Sequence, residues 1–556
     1  MAEIARNRLT FALFLAPCVI AVLAHQPGLD NGFTNWDDPM YLLGNELTQD
    51  PLAQGVGGLL RTESIGYPVP ATVLVYAAER ELFEAGGRFG LDPAGFHGVS
   101  LALHALAALL LAVVAFRLGA SLLGAVAAAS LFAAHPLTVE PVAWVTGQKD
   151  LLAATFALAA LAIRAGPRGQ RTAASIACAG FAILAMASKP SAVALPALIV
   201  GIDLALERNV TRRGAVALYG VLGVLAAAVI GLSLLGHEAQ GVSPTGSVGL
   251  SSLGDAAWTY TLQLGHVAWP SGLVARYFAP TGTTYAIMVV AGVLLAPLTV
   301  LAAWIAWRRG AHAVAFGVGA ALVAYLPTSG LLPLPRGPAD SYMYLPLALA
   351  GVAVARSVGR GLDLTSSVER GALALILALL VSLSAVASRG QATMWRDSPT
   401  LWSELVVANP DEPRALMRVG DAYLFEQQPG QAVLIFEDLE RRFPEFVNAR
   451  GGHADALMLA GRDVDAERVY AQAARAPGGG QQRDAYAFFL VSHAAVAPTD
   501  RDLARDCLRA VAGELAERGK RPTSLARAAD LLEGYGDADL AAKLRARRDA
   551  VLQRRR

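Results

Sequence analysis

The strongest constraint on this chain is a series of about eleven apolar runs, at residues 9–24, 98–116, 121–137, 149–164, 173–188, 191–206, 214–235, 284–306, 311–328, 341–356 and 370–388. Each is close to what a helix needs to cross a hydrocarbon core about 30 Å thick. No water is available there to satisfy backbone N–H and C=O groups, so a continuous apolar run that crosses must do so as a helix. With 556 residues, 54% hydrophobic and only 16% charged, the chain is also too apolar and too long for one soluble core. The expected fold class is all-α: a polytopic helical membrane domain over residues 1–390 with an external loop at 26–97, and a second helical domain over 391–556. The first run follows Arg6 and Arg8 as a signal peptide would, but it is long for a signal core, lacks a small-x-small cleavage site and is needed to orient the spans behind it. It reads as a retained helix.

Orientation follows from the basic residues, which collect on the cytoplasmic side of membranes. Alternate ends of the runs carry Arg6 and Arg8, Arg117, Arg164 with Arg168 and Arg171, Arg208 with Arg212 and Arg213, Arg308 and Arg309, then Arg356, Arg360 and Arg370. That side is expected to be the cytoplasm, with the N-terminus inside and everything after Arg389 outside. Segment 254–269 is short and amphipathic and is expected to lie in the interface, since making it a span would invert the later arginines. The runs are nearly free of ionisable groups, which disfavours an ion-coupled transporter, and His104 within a run reads as a hydrogen-bonded packing residue. A net charge of +1 provides no nucleic-acid footprint. Cys18, Cys178 and Cys507 are too scattered for a disulfide framework or a metal site.

Beyond Arg389 the composition turns polar and Ala-rich, and a period of 34 appears: Trp402, Phe436 and Tyr470, Pro410 and Pro444, Ala432 and Ala466, Leu439 and Ala473. Gly420 and Tyr423 occupy the small and aromatic positions of a tetratricopeptide first helix. Helix pairs of this kind bury their apolar faces only by stacking, so an α-solenoid is expected, with 398–408 as a half-unit and 482–494, 499–518, 521–534 and 537–555 as degenerate helices.

The chemistry-bearing residues gather in the segments assigned to the outside. Gly32 to Asn45 sets Asp37 and Asp38 between Trp36 and Tyr41 just after the first run. A solvated turn would account for Asn, Asp and Pro there; an acid pair at the membrane surface is the functional alternative. Adjacent side chains of an extended segment point to opposite sides, and Pro39 is expected to hold Asp38 extended, so one acid must lead. Residues 135–150 bring His135, Glu140, Trp144, Lys149 and Asp150 to one loop, and Lys189 begins the next outer turn. Lysines at these positions suit a lipid-borne phosphate, with snorkelling helix ends as the bland reading. Arg336, Asp340, Tyr342 and Tyr344 form a third group, and Arg276 with Tyr277 follows the interfacial segment. No metal-ligand spacing is present, and neither a metal nor another cofactor is expected.

The stretches FTNWDDPMYLLGN, GYPVPATVLVY, LDPAGFHGVSLALHAL, HPLTVEPVAWVTGQKDLLA, SKPSAVALP, ADSYMYLP and WRDSPTLWSELVVANP, spread from about Gly32 to Ala473, together resemble the C-type-fold membrane glycosyltransferases that carry C-terminal tetratricopeptide repeats, including the cadherin-directed O-mannosyltransferases and their bacterial relatives. The resemblance implies an inverting transferase in a bacterial cytoplasmic membrane with the repeats outside. Its implied donor is a polyprenyl-phosphate-linked sugar, with mannose the candidate sugar, and its acceptor a hydroxyl of an exported protein. It assigns the catalytic base to Asp37 or Asp38, with Asp37 the choice because the first acid of the pair matches the family's catalytic position, and leaves His135, Glu140, Lys149, Asp150, Lys189, Arg276, Arg336, Asp340, Tyr342 and Tyr344 as candidates for holding the donor phosphate and substrates. This chain has Gln148 and Ser341 where the family's pattern has arginine, so the donor phosphate is left to Lys149, Lys189, Arg276 and Arg336. A membrane-anchored, non-catalytic repeat scaffold that binds an exported partner is the alternative class, and a lipid-linked glycan ligase a third. The orientation has a direct test: a reporter active only in the cytoplasm, fused after Arg556, stays silent, and a bright fusion overturns the assignment of sides.

Overall fold

The computed structural model describes residues 2–52, 55–60, 67–239, 249–331, 336–364, 366–476, 480–493, 496–518 and 522–553. Gly66 of the quoted motifs, the expected helix ends at 494, 521 and 554–555, and the fusion point Arg556 lie outside them. The described residues are helical throughout, with no strand beyond a single isolated bridge between Glu84 and Leu91. They form two compact units, Met1–Leu401 and Trp402–Arg556.

In the first unit, each of the apolar runs lies on a helix. Six helices are long and apolar enough to cross a membrane: Ala12–Asp30, Pro93–Arg117, Arg213–Gly236, Gly282–Arg308, Asp340–Gly361 and Ser367–Trp395. The bent pair Leu122–Ala134 and Pro136–Ala143, turned by 61° where Pro136 breaks the helix, makes a seventh if counted as one span. Thr172–Ser188, Pro190–Ala205 and His312–Thr328 are apolar but shorter. These helices identify an integral membrane protein. Asp340–Gly361 is the most enclosed of the six, 61% buried, whereas Gly282–Arg308 and Ser367–Trp395 are 6% buried and leave apolar side chains on the outside of the bundle, where lipid is their natural solvent.

Small residues set the close packing, as expected where helices cannot rely on a difference in apolarity to associate. A Cβ on Gly292 would fall 2.0 Å from the Ala257 carbonyl oxygen, so only glycine lets helix Leu250–Ala268 lie against Gly282–Arg308. That amphipathic helix, the expected interfacial segment, buries Ala257, Trp258, Thr259, Gln263 and His266 and is not among the six candidate spans. His104 bonds Tyr344 Oη through Nδ1 at 2.7 Å and the Ala133 carbonyl through Nε2 at 3.1 Å, inside the bundle. At the arginine-rich ends, Arg164 is fully buried, with its Nε 2.8 Å from Asp203, whose carboxylate also accepts from Tyr219 Oη. Arg208 donates to the Arg164 and Gly166 carbonyls, and Arg164, one of the arginines at the ends of the runs, is a cross-brace between helices.

The second unit is a succession of helices that meet in antiparallel neighbours: Pro413–Phe425 with Pro429–Arg442, Arg450–Leu459 with Asp463–Arg475, Gly480–Ser492 with Arg501–Arg518, and Pro522–Gly534 with Ala538–Gln553. Trp402, Phe436 and Tyr470 are all buried. Phe436 sits between two glycines, since a Cβ on Gly420 or Gly452 would come within 2.6 or 2.7 Å of its ring. Glu467 is buried and accepts from Tyr486 Oη at 2.5 Å and Thr499 N at 2.9 Å. Phe436→Ala opens a cavity in this core and is expected to cost about 3–5 kcal/mol. Limited proteolysis of the full chain should then release fragments of the second unit at protease levels that leave the parent intact.

Candidate functional site

The segment that carries the acid pair is held by the Asn31 side chain and by backbone N–H groups that follow it. The Asn31 amide, buried, donates to the Ala143 and Ala392 carbonyls at 3.1 Å each, and Gly32 N donates to the Arg396 carbonyl at 2.8 Å. Residues 391–401 are thereby part of the first unit, and Asn35 N reaches Ser398 Oγ at 3.0 Å. Beyond the pair, Pro39–Leu43 winds into one wide helical turn in which Met40 N and Tyr41 N both donate to the Asp37 carbonyl.

Asp38 and Asp37 differ sharply. Asp38 is fully buried, and four donors converge on its carboxylate: Thr34 N at 2.7 Å and Thr34 Oγ1 at 3.1 Å on one oxygen, Thr146 N at 3.0 Å and Thr146 Oγ1 on the other. Burial pushes its carboxyl above the ordinary range, and the bonds from Thr146 and Thr34 work against that rise. The expectation that Pro39 keeps Asp38 extended is wrong: Asp38 has φ −58° and ψ −37°, in the right-handed helical region. A residue before proline resists that region, but the bonds closing on the carboxylate require the chain to turn back at this point. Asp37, by contrast, keeps 27% of its side chain exposed, with Oδ2 3.3 Å from Lys149 Nζ.

Lys149 arrives from the start of helix Gln148–Ala165, which the turns Pro136–Thr138 and Val145–Gly147 redirect toward Asp37. Gly147 is needed there, since a Cβ would lie 2.7 Å from Pro141 Cα. Three cations share one design, a carboxylate on one side and an aromatic face on another. Lys149 pairs with Asp37 and lies 4.0 Å from the Tyr41 ring centre and 5.0 Å from that of Trp144. Arg336 pairs with Glu140 at 2.9 Å and lies 5.2 and 5.1 Å from Trp36 and Trp144. Lys189 pairs with Asp150 at 2.5 Å and lies 5.0 Å from Tyr342. Trp144, stacked on Trp395 at 5.5 Å, is shared by Lys149 and Arg336. Ring faces attract cations most strongly when water is excluded, and all three cations are largely buried.

Asp340 accepts from Tyr277 Oη at 2.6 Å with His266 Nδ1 at 3.9 Å, which joins the group around Arg336 to the chain after the interfacial helix. A small cleft of about 20 Å³ is lined by Asp150, Ser191, Thr328, Ser341, Tyr342 and Tyr344 among alanines. Ser341 is buried and its hydroxyl has no hydrogen-bond partner among the described residues. Other expected site residues are engaged in structure. His135 caps its turn, accepting from Leu137 N at 3.2 Å while Nε2 meets the Val267 carbonyl at 3.2 Å. Tyr344 lines the cleft but gives its hydroxyl to His104. Arg276 stacks on Phe278 at 5.7 Å. Sequence reasoning passed over Thr34 and Thr146, uncharged members of the stretches FTNWDDPMYLLGN and HPLTVEPVAWVTGQKDLLA, and Glu79, which lies on none of the quoted stretches; only packing brings them to the acid pair and to Gln148. Among the described residues no group of three or more His, Cys, Asp or Glu side chains has the arrangement of a metal site.

Fold and site together describe an all-helical integral membrane protein with a half-open carboxylate set among caged cations. Over 149 residues, 25% of this chain, the sequence is 34% identical to protein O-mannosyl-transferase Tmtc1 of Drosophila melanogaster; over 64 residues, 12% of the chain, it is 48% identical to protein O-mannosyl-transferase Tmtc2 of the same organism. The matches cover 16% and 7% of those proteins' lengths. No family model matches, and no solved structure does.

Asp38→Asn would turn an amide N–H toward donors that now meet an oxygen, leaving buried groups unsatisfied at a cost of about 1–3 kcal/mol. Asp37→Asn leaves the largely buried Lys149 without its carboxylate but strands no backbone donor and keeps an amide oxygen that can accept from Lys149, so it should cost less than Asp38→Asn. Thermal melts of the full chain in detergent check the contrast, and equal melts for the two variants would remove the anchoring role of Asp38.

Proposed function

We propose that this chain is a membrane glycosyltransferase that moves a sugar from a polyprenyl phosphate to a hydroxyl of an exported acceptor, with mannose as the sugar suggested by the names of the partly similar Drosophila proteins. The observation that carries this reading is the asymmetry of the acid pair: Asp38 is closed off by four hydrogen bonds, while Asp37 remains partly exposed against Lys149.

In this scheme the Asp37 carboxylate takes the proton of the acceptor hydroxyl as its oxygen bonds to the anomeric carbon, and the lipid phosphate leaves from the opposite face with inversion. Lys149, Lys189 and Arg336 supply positive charge for the departing phosphate, each giving up part of its pairing with Asp37, Asp150 or Glu140. The proposal includes eleven spans, with the shorter apolar helices and the bent pair crossing as parts of a packed bundle, the N-terminus in the cytoplasm of a bacterial cell and the acid pair outside. It includes a tetratricopeptide solenoid for the second unit, whose 34-residue register and helix pairs support that reading, and which would hold the exported protein acceptor.

The test is transfer from polyprenyl-phosphate sugars by the purified protein in liposomes with an exported-protein fraction as acceptor. Asp37→Asn should lower the rate by about two to four orders of magnitude while donor-lipid binding persists. Near-parental transfer by that variant would refute the base assignment, and no release of lipid phosphate from any polyprenyl-phosphate sugar would refute the enzyme.

A further inference from the structure

One buried acid stands outside the scheme above. Helix Pro70–Leu82 turns Thr72, Val73, Tyr76 and Glu79 inward, so a glutamate occupies a position where the helical pattern calls for an apolar side chain. Glu79 is 3% exposed and Gln148 fully buried, and Gln148 Nε2 donates to Glu79 Oε1 at 2.7 Å. The two remaining side-chain oxygens, Glu79 Oε2 and Gln148 Oε1, are both buried and have no donor among the described residues. Two acceptors cannot satisfy each other, and a stranded carboxylate oxygen is costly in such a place. A proton on Glu79 Oε2 would turn one of these two stranded acceptors into a donor.

The surrounding charges are already committed. On its own helix Arg80 donates to the Leu42 carbonyl at 3.3 Å, and Glu81 is exposed. From the neighbouring elements, Asp38 is held by Thr34 and Thr146, Glu46 is exposed, the Tyr41 hydroxyl donates to Tyr67, and Tyr76 donates to the Val145 carbonyl. Lys149 pairs with Asp37, and Lys189 with Asp150. Burial with no cation assigned to it pushes the Glu79 carboxyl up to about 8, the bond from Gln148 opposing the rise.

We infer that Glu79 is a neutral carboxylic acid locked to Gln148 in a two-way acid–amide pair, and that this pair is the positioning element for the first turn of helix Gln148–Ala165, which presents Lys149 and Asp150. Gln148 is the first residue of that helix, so fixing its side chain fixes the two charged residues that follow it.

The sign of the pH effect follows from linkage. The unfolded chain releases this proton near 4.5 and the folded chain near 8, so between those values the folded state holds the proton that the unfolded state has lost. Stability is fully present below 4.5, falls as pH rises through that window and levels off above about 8. Glu79→Gln reproduces the neutral acid's pattern, one acceptor and one donor, without a titrating proton. In detergent melts of the full chain it should match the parent below about pH 4.5, melt progressively higher than the parent up to about pH 8, and hold a constant lead above that. Glu79→Ala should melt lower than Glu79→Gln throughout. A Glu79→Gln variant that melts below the parent across the window, or runs parallel to it, overturns the neutral pair.

The positioning role rests on the glycosyltransferase reading and has its own measurement. Sugar transfer by the parent should fall away above about pH 8, whereas Glu79→Gln should keep its rate there. The same alkaline fall in both proteins would overturn the positioning role. Absence of transfer in every preparation would overturn the enzyme reading instead, and the melts would still decide whether Glu79 is neutral.

Discussion

The carboxylate of Asp38 is the joint on which the candidate site depends. Its two oxygens tie the loop after the first helix to the turn at Thr146, a residue 108 positions away. That joint fixes the backbone beside Asp37, whose own side chain makes one ion pair among the described residues, at 3.3 Å to Lys149, and is otherwise partly exposed. Burying a carboxylate is unfavourable unless hydrogen bonds replace its water, and four donors do so here. Rigidity sits on one acid and accessibility on its neighbour.

The same balance governs the cations. Buried ion pairs are weak contributors to stability, because desolvation offsets most of the attraction. Lys149, Lys189 and Arg336 are therefore hard to explain as fold-stabilising devices, and their aromatic faces, the Tyr41, Trp36, Trp144 and Tyr342 rings, are what make their burial tolerable. A site built this way has charge in reserve: a phosphate can take over a cation without a new charge being brought out of water. Glu79 is the contrasting solution to burial, an acid that keeps its proton because no cation is assigned to it.

Helix breaks place these groups. His135–Pro136, Trp144–Gly147 and Lys189–Pro190 interrupt helices where the bundle, not lipid, surrounds the backbone, which is where irregular chain is tolerated in a membrane protein. Each break delivers a charged or aromatic side chain to the site, from Glu140 and Trp144 to Lys149 and Lys189. Gly147 permits the tightest of these turns by leaving room for Pro141.

Local pattern was enough to read the helices, the apolar faces, the 34-residue register and the segment where the acids lie, because hydropathy, proline and glycine act over a few residues. It also singled out Lys149, Lys189 and Arg336, each of which the structure sets between a carboxylate and an aromatic ring. It misjudged the backbone at Asp38, since a proline's local preference was outweighed by bonds to Thr34 and to a distant turn, and it could not show that Arg164, one of the arginines at the helix ends, is a buried brace. It had no means of finding Glu79. Partner choice was beyond it: Lys149 could have met Asp150 beside it but meets Asp37, and Asp150 meets Lys189 instead. Sequence alone determined which groups are present and which helices carry them; the tertiary structure alone decided which are charged, paired or exposed, because desolvation and hydrogen bonding depend on elements far apart along the chain.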